Sequence, residues 1–112
     1  MILESIPKDS RAYKEELFGP VFSLFKVHSD MEAVMLANES EYGLSGSIYT
    51  KDEERGKDLA RMLECGTVFI NDVVGSDSRL PSGGFKDSGY GRECYKDGLF
   101  ESINRKTIVI PK

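Results

Sequence analysis

Ser45-Gly46-Ser47-Ile48-Tyr49-Thr50-Lys51-Asp52-Glu53, answered further on by Gly66-Thr67-Val68-Phe69-Ile70-Asn71, is the stretch whose reading decides the fold. Ser45 to Tyr49 and Gly66 to Asn71 are short runs of strand-forming residues, and Leu59, Met62 and Leu63 repeat between them at helical spacing. Thr50-Lys51-Asp52-Glu53 has the pattern of a capping box, so the spacing predicts a helix that starts there and stops at Gly66, read as a left-handed C-terminal glycine. A strand, a helix and a strand joined this tightly make a right-handed crossover with parallel strands.

The same unit occurs once more on the N-terminal side. Val21 to Val27 is almost continuously apolar and too short for a helix, which predicts a buried strand. Ser29-Asp30-Met31-Glu32 is a second capping box, opening a helix to about Asn38 whose Met31, Val34 and Met35 form an inward stripe. The expected fold class is therefore α/β, with a βαβαβ parallel sheet in which ligands gather at the carboxyl ends of the strands. Met1-Ile2-Leu3 adds a short strand end before the loop at Pro7. Beyond Asp72 the chain is glycine- and serine-rich as far as Gly91, then offers a weak helix from Glu93 to Ile103 and a last strand, Arg105 to Ile110, stopped by Pro111.

With 112 residues, one domain or part of one is expected, burying roughly two-thirds of the surface the unfolded chain exposes. Fifteen basic and 19 acidic residues give a net charge of −4, and the basic ones are scattered, which argues against a nucleic-acid partner. No apolar run approaches the roughly 20 residues that cross a bilayer, and Met1-Ile2-Leu3-Glu4 lacks the basic start of a signal peptide. No membrane partner and a cytoplasmic location are expected.

Chemistry-bearing residues are few. Cys65 and Cys94 form no disulfide framework, and His28 has no co-ligand beside it, so no metal site is expected. Cys65 falls where a helix ends, the wrong pole of the dipole for a reactive thiolate, and both cysteines are read as structural. Glu16 and Phe18, two residues apart before Gly19-Pro20, are the better candidates. A carboxylate can accept two hydrogen bonds from a vicinal diol, and a ring on the same side of an extended segment offers a flat wall to a sugar.

Pro81-Ser82-Gly83-Gly84-Phe85-Lys86-Asp87-Ser88-Gly89-Tyr90-Gly91-Arg92-Glu93 invites a phosphate-loop reading. It fails: Lys86 follows Phe and precedes Asp, and a dinucleotide fingerprint on Gly89 and Gly91 would need glycine where Cys94 stands. A loop of unusual backbone angles remains, with Arg92 as a forked ion-pair anchor.

Four segments in order resemble one family: Glu16-Leu17-Phe18-Gly19-Pro20-Val21, Asn38 to Leu44, Gly66 to Asn71 and Gly83 to Glu93 look like the C-terminal part of the NAD(P)-dependent aldehyde dehydrogenases. Val73 to Arg79 looks most like the succinate-semialdehyde dehydrogenase branch. The resemblance implies that residues 1–104 are the C-terminal portion of the family's catalytic domain and that 105–112 form an oligomerisation strand. It implies that Glu16 binds the ribose hydroxyls next to nicotinamide while Phe18 packs against that end of NAD or NADP. Ser82 stands where the family usually places a Phe that lines the aldehyde tunnel, and so implies a more open or more polar pocket.

The family's nucleophilic cysteine, general-base glutamate, oxyanion-hole asparagine and dinucleotide-binding half all precede the region that Met1 corresponds to, so no catalytic residue is assigned here. The expectation is a chain that is inactive alone and belongs to an enzyme oxidising an aldehyde to its acid. The alternative is a non-catalytic oligomerisation module derived from that family. Partners would be a second copy, joined through Thr107, Ile108, Val109 and Ile110, or a complementary chain carrying the remainder. Two hydrogen bonds to a carboxylate contribute about 1.5–3 kcal/mol each. A 1 mM dissociation constant already requires about 4 kcal/mol beyond the cost of association. NAD should therefore bind this chain alone weakly or not at all.

Overall fold

Helix α2 (Asp30–Asn38) begins where the Ser29 hydroxyl accepts the Glu32 amide at 3.2 Å, as a capping serine should. Glu32 returns its carboxylate to the amide of His28 at 2.6 Å, one residue outside the reciprocal box. Helix α3 (Glu53–Met62) starts two residues later than the sequence suggests. Asp52, not Thr50, accepts the Arg55 amide at 3.0 Å, while the Thr50 hydroxyl accepts the amide of Asp52 at 3.1 Å.

These details come from a computed structural model that describes all 112 residues. Strand β1 (Ile2–Glu4) pairs in parallel with β2 (Phe22–Leu24), and β4 (Ser45–Ile48) pairs in parallel with β5 (Thr67–Ile70) across α3. A short antiparallel pair joins β3 (Tyr42–Gly43) to β6 (Phe85–Lys86). The four-residue α1 (Arg11–Lys14) and the seven-residue α4 (Tyr95–Glu101) complete the set. The architecture is the expected mixed α/β with parallel strands, but it is three two-stranded pieces instead of one continuous βαβαβ sheet of three strands.

Gly66 does not take the left-handed conformation predicted for it, since Gly89 is the sole glycine with positive φ. Its reason for being glycine is proximity: a Cβ there would lie 1.7 Å from the carbonyl oxygen of Gly83. The segment 83–91 therefore lies directly on the start of β5. At the far end of β5, Asn71 takes φ 56° and its Oδ1 accepts the Thr50 amide at 2.8 Å, which ties the carboxyl ends of β4 and β5 together.

Two expectations about burial are corrected. Every residue of β2 is exposed, although the nearly continuous apolar run around it reads as a buried strand. Of the stripe on α2, only Val34 is buried, at 7 % exposure, and it is the one buried apolar side chain in the chain. The cause is geometric: an element with apolar residues on both faces needs a layer on each, and these pieces have a neighbour on one side at most. The predicted helix from Glu93 shortens to Tyr95–Glu101 because Cys94 and Tyr95 both have positive φ. Residues 105–112 carry no ladder bonds within the chain and are exposed throughout.

Candidate functional site

Glu16 lies in the irregular segment that leaves α1 and bends at Gly19-Pro20 into β2. Its neighbour Glu15 is clamped by both Nε and Nη2 of Arg11, each at 2.8 Å, which holds the Glu15 carboxyl below the ordinary carboxylate range. Glu16 has no ion-pair partner and remains exposed. It borders a cleft of about 480 Å³ whose walls include Asn38, Ser40, Tyr42, Cys65 and Ser88.

The far wall of that cleft is built by a polar lock. Asn38, at the last turn of α2, donates Nδ2 to the Met62 carbonyl and accepts the Glu64 amide on Oδ1, both at 2.9 Å. Two helix ends are thus joined by one side chain. Lys86 reaches across from β6, donating Nζ to the carbonyls of Asn38 at 2.7 Å and Ser40 at 3.0 Å and pairing with Glu64 at 2.8 Å. A cation on the Asn38 carbonyl, the last of α2, sits at the favourable pole of the helix. The Gly43 amide donates to the Ser88 hydroxyl at 3.0 Å, which brings the glycine-rich loop into the cleft wall.

The sequence candidates are therefore only partly gathered. Glu16 faces the cleft; Phe18 stands outside its walls and is 94 % exposed. Ser82 lies at the root of the glycine loop, exchanging two backbone hydrogen bonds with Glu93 at 2.9 and 2.6 Å, and it is not part of the cleft wall. Arg92 is not an ion-pair anchor as expected. Its Nη1 donates to the carbonyls of Gly84 at 3.1 Å and Gly91 at 2.8 Å, and its guanidinium sits 5.4 Å from the centre of the Phe85 ring. Asn38, Lys86 and Ser88 escaped the sequence reading. The spacing around Lys86 speaks only to a phosphate loop, and the side-chain partners of all three lie at least 22 positions away.

Cys65 is half-buried, with Sγ 3.5 Å from the Thr67 carbonyl, and burial pushes its thiol up from the ordinary value. That direction favours the thiol over the nucleophilic thiolate. No cluster of three or more His, Cys, Asp or Glu side chains could hold a metal ion. No helix is long and apolar enough to cross a membrane.

Comparison with known proteins places this geometry. A profile described as the aldehyde dehydrogenase family matches residues 1–108. An aldehyde dehydrogenase of Paenarthrobacter nicotinovorans is 48 % identical over 107 residues, covering 96 % of this chain and 23 % of that enzyme. The succinate-semialdehyde dehydrogenase [NADP(+)] of Deinococcus radiodurans is 44 % identical over 107 residues, with 96 % and 22 % covered. Among solved structures, succinic semialdehyde dehydrogenase from Streptococcus pyogenes in complex with NADP+ superposes with a TM-score of 0.93 at 42 % identity, over 99 % of this chain and 24 % of that one. Betaine aldehyde dehydrogenase from Staphylococcus aureus in complex with NAD+ gives a TM-score of 0.85 at 40 % identity, over 89 % and 20 %. The chain thus spans about a quarter or less of the length of these relatives. With the profile matching almost end to end, the chain belongs to the aldehyde dehydrogenase family.

Proposed function

We propose that this chain works as the C-terminal portion of an enzyme that oxidises an aldehyde to its acid with NAD or NADP, with succinate semialdehyde as the substrate class. The observation that carries the reading is the Glu16 carboxylate, exposed and unpaired beside a cleft, in a chain whose relatives include enzymes solved with NADP+ and NAD+. Its four lone-pair sites fit a ribose diol. The exposed Phe18 ring fits an apolar contact at the same end of the cofactor. When bound, NAD(P) accepts the hydride lost by the aldehyde carbon.

Neither cysteine is suited to start that reaction. Burial raises the Cys65 thiol and so disfavours the thiolate, and no histidine or carboxylate is hydrogen-bonded to either sulfur. The chain alone is thus inactive in this reading, and its contribution is one wall for the cofactor. Ser82, in place of a bulky ring, leaves the aldehyde side of the glycine loop small and polar, which suits a substrate carrying a second polar group. Thr107, Ile108, Val109 and Ile110 form the surface for a second copy. Ile108, Val109 and Ile110 are 78–85 % exposed with no ladder partner in their own chain, which supports pairing across a subunit boundary.

A chimera tests the reading: this chain replaces the 107 matching residues of the Deinococcus radiodurans enzyme. The expected result is NADP-dependent oxidation of succinate semialdehyde. A chimera that folds and assembles like its parent but shows no turnover would overturn the proposal.

A further inference from the structure

The geometry points to Lys86 as the positioning residue that sets the glycine-rich loop against the cleft, an inference that rests on reading that cleft as the cofactor and aldehyde site. Three features converge on it. Lys86 sits at φ 53°, a conformation an L side chain adopts only when its surroundings hold it there. Its ammonium donates to the carbonyls of Asn38 and Ser40 and pairs ionically with the carboxylate of Glu64, partners from two other segments. Those partners are themselves cleft walls, since Asn38, Ser40 and Glu64 all border the space beside Glu16.

The loop has separate fixings at its root and at its tip. At the root, Ser82 and Glu93 exchange backbone hydrogen bonds, and Arg92 ties Gly84 to Gly91. Neither contact reaches the α2 side of the cleft. At the tip, the Asp87 amide donates to the Glu41 carbonyl at 3.0 Å and the Gly43 amide to the Ser88 hydroxyl at 3.0 Å, one on each side of the pairing of Tyr42 with Lys86. Lys86 supplies the only charged contact among the tip fixings. Removing it leaves the Glu64 carboxylate and the carbonyls of Asn38 and Ser40 without their cation, and the tip held by neutral hydrogen bonds alone.

Amide hydrogen exchange on the full 112-residue chain tests this without aldehyde or nicotinamide, so its outcome is independent of the functional reading. Lys86→Met keeps the stem and removes the donors; Lys86→Arg keeps a charge and several donors. Lys86→Met is expected to speed exchange at the Gly43 and Asp87 amides by about tenfold or more, while the Gly56 and Asn71 amides, in α3 and at the end of β5, stay within about twofold. Lys86→Arg is expected to restore most of the Gly43 and Asp87 protection. The proposal is overturned if Lys86→Met leaves both loop amides unchanged, if it speeds all four alike, if the arginine variant behaves as the methionine one, or if the unaltered chain shows no protection at Gly43 and Asp87.

Discussion

Glu15 and Glu16 are adjacent carboxylates in opposite situations. Arg11 grips the first with two 2.8 Å contacts, while the second has no ionic partner. A local i,i+4 pair uses Glu15 to close α1 and leaves Glu16 available to a ligand. In the active chimera, Glu16→Gln should raise the KM for NADP by about tenfold, since a neutral amide loses charge-assisted acceptance from the diol. Glu15→Gln should change that KM by less than about twofold, because an exposed pair contributes little. Equal effects of the two variants would remove the special role of Glu16. The sequence singles out Glu16 by a local signal, a carboxylate, a ring and a Gly-Pro bend within five positions, and the structure places it exposed beside a cleft. Asn38 and Lys86 are not singled out in that way, because what makes them important is a set of partners 22 to 48 residues away.

Elements were legible wherever periodicity and capping agree, and less so where long-range contact decides the conformation. The Ser29 cap and the parallel pairing of β4 with β5 follow directly from the sequence. Gly66 does not: its glycine is required by the Gly83 carbonyl rather than by a helix stop. Gly66→Ala should therefore push the glycine loop off β5 and destabilise the chain by about 2 kcal/mol or more, as overpacking against unyielding backbone does. Asn38→Ala, which frees the Met62 carbonyl and the Glu64 amide, should cost about 1–3 kcal/mol. Urea unfolding of both variants reads these costs; a midpoint equal to that of the parent chain would contradict either assignment. The ion pairs between elements add a pH signature. Glu39 is held below its ordinary value of 4.5 mainly by the Lys8 hydrogen bond, and Asp30 below 3.8 by that of Arg55. Folding thus favours their ionised forms, so their contribution is present above the ordinary carboxylate range and lost as the pH falls through the lowered values. An acid titration followed by circular dichroism should show helix loss beginning below about pH 4, with only a small effect of salt at neutral pH because both pairs are exposed.

At the scale of the whole molecule, the accessible surface of 9373 Å² stands well above the roughly 6,200 Å² of a compact monomer of 12.5 kDa. The Cα radius of gyration is likewise 18.3 Å, where about 13 Å is usual for this length. A groove of about 610 Å³ between β2 and α2, walled by Phe25, Met31, Met35 and Leu36, adds to the exposed apolar surface. Such a chain should self-associate at micromolar concentration. Light scattering on the full chain and on a version lacking residues 105–112 separates two modes: one discrete oligomer lost on truncation supports pairing through Thr107 to Ile110, and an unchanged size distribution counts against it. The same incompleteness bears on activity, for in the proposed function the chain supplies one wall for the cofactor and no nucleophile. The most direct test follows reduced-nicotinamide absorbance when the purified chain meets succinate semialdehyde with NAD or NADP, in parallel with Cys65→Ser and Cys94→Ser. The account predicts no absorbance change in any of the three proteins; turnover by the parent chain that either serine variant abolishes would contradict it.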